Sequence, residues 1–344
     1  MRYHKLDLNL LSALKVLLEK RNVTRAGEAL HVTQSAMSGI LARLRDYFDD
    51  PLIVQVGRRM ELTPLAESLI DPVNDVLLRI DATIATRPDF DPQVMKRHFT
   101  FVASDYVSAV FLCDVLRRVH REAPGITWKF RQPSEFSAQE LESGDVDFII
   151  SPEQFASPTQ SMERLFEDSY VVAVAEENPH VGDTITLEQY LGSGHVSFQT
   201  GTQGLPMFES WATRNYGEAA RRVEVTANSF HLLPQLIIGT DRIATLHARM
   251  AACCLGGLPI RLVRPLFEMP QLVEVLQWHR YRDLDRGSQW LRQRIVEMAH
   301  AMPEVASLLD GSLQAACADY DGSTVVPIKR KRAISTPRSL QDAQ

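Results

Sequence analysis

Between Val23 and Arg45 the apolar positions recur at helical spacing. Ala26, Leu30, Met37, Leu41 and Leu44 fall three, four or seven residues apart, which predicts two short helices sharing one buried seam. Ala26 and Gly27 are small enough for those helices to cross closely at a tight corner. Upstream, Leu10, Leu14, Leu17 and Leu18 form the apolar face of a helix running to about Lys20. Downstream, residues 51–63 read as a β-rich stretch turning at Gly57. From Pro64 to about Thr86, Leu65, Leu69, Val73, Val76, Ile80 and Ile84 make one long amphipathic stripe, interrupted by Pro72. The residues that follow alternate strand and helix, the pattern of a mostly parallel sheet covered by helices.

The polar face opposite the first seam carries candidate chemistry. Thr33 is placed to cap the second helix, leaving Gln34, Ser35, Ser38 and Arg43 facing outward. Gln pairs bidentately with adenine in a major groove, while Ser and Arg bond bases or phosphates. A hairpin beside such a helix pair is a wing, and Arg58 and Arg59 lie near its tip, where phosphate or minor-groove contact is expected. A solvated helical hairpin with ordinary surface charge is the bland alternative.

Residues 1–64 resemble the winged helix-turn-helix of LysR-type transcriptional regulators, and the resemblance runs to about residue 300. It is strongest to the NodD-like and NahR-like branch, whose members respond to aromatic compounds. The stretches that carry it are D-L-N-L-L at 7–11, R-P-D-F-D-P at 87–92, F-V-A-S-D-Y-V at 101–107 and G-D-V-D-F at 144–148. They continue with G-H-V at 194–196, G-T-D-R-I-A-T at 239–245 and W-H-R-Y-R-D-L-D-R-G-S-Q-W-L-R at 278–292. Two positions depart from the family pattern. Ser35 stands where many members have Pro, and Gln55 where many have Arg, which leaves Arg58 carrying more of the wing's charge.

The resemblance implies an N-terminal winged helix-turn-helix (1–64), all-α with a β wing. A linker or dimerisation helix and hinge (65–92) follow, then an α/β two-lobed effector domain like type 2 periplasmic binding proteins (93–302). Lobe one is expected at 97–173 plus 269–302 and lobe two at 174–268, with residues 303–344 as a disordered tail. The linker stripe could pack on its own body; the resemblance favours antiparallel pairing with a second copy, as a dimer and then a tetramer.

Charge at first argues against a nucleic-acid partner, because the chain carries −6 overall. Residues 1–64, however, hold ten Lys or Arg against seven Asp or Glu, so a basic module precedes an acidic body. No apolar run reaches the roughly 18 residues of a membrane span, and a cytoplasmic location is expected. Cys113, Cys253, Cys254 and Cys317 make no disulfide framework. Phosphate-loop and dinucleotide fingerprints are missing, and His195, His231, His247 and His279 show no metal-ligand spacing, so neither an enzyme, a metal nor a cofactor is expected. The tail ends with a basic run, Lys329-Arg330-Lys331-Arg332, read as solvated.

In such a two-lobed fold, strand-end loops line the cleft. Ser104 and Asp105 end one strand there, with helix capping an equal alternative for them. Pro152 and Phe155 follow another strand; Phe198, Thr200 and Gly201 end a third; Asn228, Phe230 and His231 begin a crossing segment. Aromatic walls with few hydrogen-bonding groups suit a planar effector. The resemblance implies a flavonoid, salicylate or substituted phenol, an inverted-repeat operator, RNA polymerase as partner, and activation rather than repression. Thiol sensing through Cys253-Cys254, or regulation independent of any ligand, are the alternatives.

Overall fold

The computed structural model describes residues 7–57, 59–84, 90–199, 206–217, 219–254 and 257–308. Three helices open the chain: α1 (Leu8–Lys20), α2 (Val23–Ala29) and α3 (Gln34–Phe48). Asp7 caps α1 and Asn22 caps α2, each accepting a backbone N–H that the helix leaves without a partner. Leu14, Leu17, Ala26, Met37 and Leu44 are all completely buried where the three helices meet. Gly27 shows why the corner is tight: a Cβ there would stand 3.1 Å from the Val32 carbonyl oxygen. His31 makes the turn in a left-handed conformation, φ 56°.

The wing is the antiparallel pair β1 (Ile53–Val56) and β2 (Arg59–Leu62), with Gly57 at φ 65° in its two-residue turn. Arg45, near the end of α3, donates to the Pro51 and Ile53 carbonyls at 2.8 and 3.1 Å and so fixes the wing to the helix. Asp50 accepts from Thr63 Oγ1 at 2.6 Å, and the Thr63 oxygen accepts from the Ala66 N–H, starting the long helix α4 (Pro64–Ile84). That helix runs unbroken through Pro72.

The expected single stripe on α4 is divided in space. Val73 is buried against the three-helix core, while Leu65 and Val76 stay exposed. Leu78, outside that stripe, packs on the second half of the chain: a Cβ on Gly144 would meet it at 2.4 Å. Tyr281 ties α4 further to the second half, accepting from Arg79 at 2.7 Å and donating to Asp75 at 3.2 Å. Part of the helix therefore packs on its own body, as the alternative reading of the stripe anticipated. Ile84 lies in the helix, but its side chain and residues 85–89 fall outside the described residues.

Two sheets build the rest. The first has the order β4 (Ile126–Arg131), β3 (Arg97–Val102), β5 (Phe148–Pro152), β13 (Leu272–Trp278), β6 (Ser161–Asp168). The second runs β10 (Arg222–Ala227), β9 (Gly194–Phe198), β11 (Ile243–His247), β7 (Tyr170–Ala175), β12 (Ile260–Pro265), β8 (Thr184–Ile185). Helices α5 (Asp105–Val107), α6 (Cys113–Glu122), α7 (Ser137–Glu142) and α11 (Arg286–His300) serve the first lobe. Helices α8 (Leu187–Gly192), α9 (Met207–Tyr216) and α10 (Ala248–Cys254) serve the second. A π-helical segment, Ser108–Leu112, joins α5 to α6 into one continuous helical stretch.

The layout corrects the expected lobe boundaries. β7 pairs antiparallel with β11 and β12, so Tyr170–Ala173 belong to lobe two, and the first crossing falls at Ser169. The strand β6 carries little apolar patterning in its first half, because Met162, Glu163 and Arg164 are exposed. Each strand that follows a crossing, β7 and β13, runs antiparallel to its neighbours. The expected tail also begins too early. Val305–Leu308 form a short helix α12, and the Pro303 carbonyl accepts from Arg249 at 2.9 Å. The basic run at 329–332 lies outside the described residues.

Candidate functional site

The outward face of α3 begins with its cap. Thr33 Oγ1 accepts from the Ala36 N–H at 3.2 Å and stands 3.0 Å from Ser35 Oγ. The hydroxyl of Thr33 is thus already occupied by local bonds. Gln34, Ser35, Ser38 and Arg43 are all exposed, while Met37, Leu41 and Leu44 of the same helix are buried. Helical periodicity sets Ser35, Ser38 and Arg43 off the buried seam, whereas Gln34, spaced three and seven residues from Met37 and Leu41, is exposed because it opens the helix at its first turn. Arg43 is 3.9 Å from the Asp7 carboxylate, and both side chains are solvated, so that pair holds Arg43 only weakly. Gln55 Nε2 donates to the Gly57 carbonyl at 3.1 Å and stiffens the wing tip. Arg59 is exposed at the start of β2; Arg58 lies outside the described residues.

Between the lobes the structure assembles a chain of rings. Phe198 stacks on Phe230 with centroids 3.7 Å apart, and Phe230 meets Tyr106 and His247 edge-on at 6.1 and 4.7 Å. Tyr106 stacks face to face on His247 at 3.9 Å. Asp105 closes the cluster from lobe one, accepting from Ser229 Oγ of lobe two at 2.7 Å. Of the expected effector residues, Asp105, Phe198 and Phe230 come together here.

The others sit differently. Ser104 Oγ accepts from the Val107 N–H at 3.2 Å, so the capping alternative holds for it. Pro152 ends β5 opposite Glu274, and Phe155, half exposed in a short 3-10 turn, makes no ring contact among the described residues. Asn228 and His231 are exposed. Thr200 and Gly201 lie outside the described residues.

Periodicity did not point to the polar groups behind the rings. The Tyr106 hydroxyl donates to Asp168 Oδ2 at 2.5 Å. Burial pushes the Asp168 carboxyl up to about 6, against the lowering effect of the Tyr106 and Ser169 hydrogen bonds. Glu274 is fully buried on β13; desolvation, aided by the Asp168 charge, pushes it up to about 8. Burial holds the His247 imidazole neutral, its pKa lowered to about 3. A signal for these residues was present: Glu274 interrupts the apolar run L-V-E-V-L, and a carboxylate in such a strand needs a reason.

An open depression of about 460 Å³ lies elsewhere, lined by Trp278 and Gln293, Arg292 and His300 among others. Arg292 already covers one face of the Trp278 ring at 4.3 Å.

Residues 8–67 match the bacterial regulatory helix-turn-helix protein family, lysR type, and residues 92–299 match the LysR substrate binding domain. The chain belongs to the LysR family of transcriptional regulators. Nodulation protein D of Bradyrhizobium sp. (strain ANU 289) is 36% identical over 302 residues, spanning 88% of this chain and 89% of that one. Nodulation protein D 2 of Rhizobium leguminosarum bv. phaseoli is 36% identical over 317 residues, spanning 91% and 99%. The regulatory domain of MexT, a transcriptional activator in Pseudomonas aeruginosa, superposes with a TM-score of 0.51 at 26% identity, covering 59% of this chain and 100% of that domain. ArgP from Mycobacterium tuberculosis shares the fold at 15% identity, with a TM-score of 0.65 over 87% and 99% of the two chains. This LysR-type regulator thus joins a helix-turn-helix to a two-lobed α/β domain, and its relatives are regulators rather than enzymes.

Proposed function

We propose that this LysR-type regulator is an aromatic-responsive activator. It reads an inverted-repeat operator with Gln34, Ser35 and Ser38, and Arg43 and Arg58 hold the phosphate backbone. Thr33 serves the reading by fixing the start of α3. The observation that carries the DNA reading is the exposed polar face of α3 beside a wing clamped to it by Arg45. The exposed Leu65 and Val76 on α4 are the surface left for a second copy, and pairing there sets two reading heads apart, with a tetramer built from two such pairs.

The effector is a planar phenolic or aromatic compound, held between lobes at the ring chain of Phe198, Phe230, Tyr106 and His247. Thr200, Gly201, Pro152, Phe155, Asn228, His231 and Ser104 are the further effector contacts of this reading. Its binding changes the lobe angle, shortens the operator footprint and admits RNA polymerase, all within the cytoplasm. The similarity to nodulation protein D supports this class of regulator. Thiol sensing is disfavoured by chemistry, because partial desolvation, with the Asp168 charge beside Cys253, raises the Cys253 and Cys254 thiols rather than activating them.

The test is footprinting of the purified protein on DNA upstream of its own gene and the divergent neighbour, with and without phenols, flavonoids and benzoates. A protected inverted repeat that shortens with one compound supports the sensor. Protection that no compound alters removes the effector reading and leaves the DNA reading standing.

A further inference from the structure

Both crossings between the lobes meet at one point. β6 ends at Asp168 and β7 begins at Tyr170, so Ser169 alone spans the first crossing. The second crossing ends at Leu272, the register partner of Asp168. The buried Asp168 carboxylate therefore sits on the pivot, and both lobes donate to it. Tyr106 of lobe one gives its hydroxyl at 2.5 Å; the Arg249 backbone N–H of lobe two lies 3.3 Å from each oxygen; Ser169 itself donates at 2.8 Å. Any rotation of one lobe against the other must re-aim these bonds.

Glu274 faces the same point from β13. It is buried, and its Oε2 has no hydrogen-bond partner among the described residues. The other titratable groups around the pair are Tyr106 on α5, Tyr170 on β7, His247 on β11 and Cys253 on α10. Tyr106 and Tyr170 are held protonated by burial, and His247 is held neutral. Arg249 supplies the facing positive charge, but its guanidinium donates to the carbonyl oxygens of Glu167 and Pro303. Two acids thus share a site where low dielectric penalises a second charge.

We infer that Asp168 and Glu274 form a proton-gated pivot: the pair holds this lobe angle while Glu274 keeps its proton, and loss of that proton resets the angle. Once both carboxyls are charged, their repulsion is relieved by rotation about Ser169 that admits water to Glu274 Oε2. The device goes beyond the effector reading and needs no ligand for its test.

The experiment uses the full-length protein with a pair of distance probes at exposed Lys129 in lobe one and Glu188 in lobe two. The probes are attached without thiol chemistry, because Cys113 and Cys253 are exposed. In the wild-type protein the inter-lobe distance is expected to change as pH rises through about 8. Glu274→Gln should abolish that transition while leaving the neutral-pH distance near wild type. Asp168→Asn removes the neighbouring anion and should move the midpoint to lower pH. Tyr106→Phe keeps the ring stacked on His247, loses one donor to the pivot, and should broaden the distance distribution at neutral pH. Circular dichroism establishes that each variant is folded. A constant wild-type distance through that range, an identical profile in folded Glu274→Gln, or an unmoved midpoint in folded Asp168→Asn would overturn the pivot. A failed search for an aromatic ligand would leave it untouched.

Discussion

Gln34→Ala separates reading from folding more sharply than any other change on α3. The side chain is exposed and makes no hydrogen bond among the described residues. Its loss should therefore move folding stability by no more than about 0.5 kcal/mol. In the groove the same truncation removes a bidentate base contact worth about 1–3 kcal/mol, roughly a 5- to 150-fold loss of operator affinity. Met37, three residues on, provides the opposite case. It is completely buried in the seam, and Met37→Ala should destabilise the domain by about 2–5 kcal/mol through the cavity it leaves. The assay is a binding titration against operators substituted one base pair at a time, beside thermal melts of both variants. Gln34→Ala should melt like wild type and lose discrimination at a single operator position, with an unchanged salt slope because no charge was removed. A uniform affinity loss across all operators, or undiminished discrimination, would refute the assignment of Gln34 as a base reader.

Arg43→Gln should instead weaken all sequences alike and reduce the slope of log affinity against log salt by about one, read from titrations at several salt concentrations. His247→Phe addresses acid stability. The native imidazole titrates near 3 rather than the free value of 6.5, so the unfolded chain takes up that proton first, and stability present above about 6.5 is lost as pH falls towards 3. Relative to wild type, the variant should gain about 1.4 kcal/mol per pH unit across that window in urea unfolding, and parallel profiles would count against a buried neutral His247. The comparison must be a difference, because Glu274 acts in the opposite sense: its raised pKa makes stability fall as pH rises towards about 8. Replacing Cys113, Cys253 and Cys254 together by Ser should leave any footprint response to an aromatic compound intact; loss of the response in a folded variant would restore thiol sensing.

Local pattern determined much of this protein. The seam of Ala26, Met37, Leu41 and Leu44, the Thr33 cap, and the turn at Gly57 each follow from interactions spanning a few residues, so spacing alone carried them. The polar face of α3 was legible for the same reason, since burying one side of a helix defines the other. Long-range pairing was not. Periodicity cannot say that Tyr170 begins lobe two, because an apolar run has the same pattern in either sheet, and only its pairing with β11 and β12 decides. The stripe on α4 likewise reads as one face, yet the body of the chain claims Val73 and leaves Leu65 and Val76 exposed. Tertiary structure alone brought Tyr106, Asp168, His247 and Glu274 together from four separate strands and helices. Burial, a property of what surrounds a residue rather than of the residue itself, then turned two ordinary carboxyls and an ordinary imidazole into groups that titrate far from their usual range.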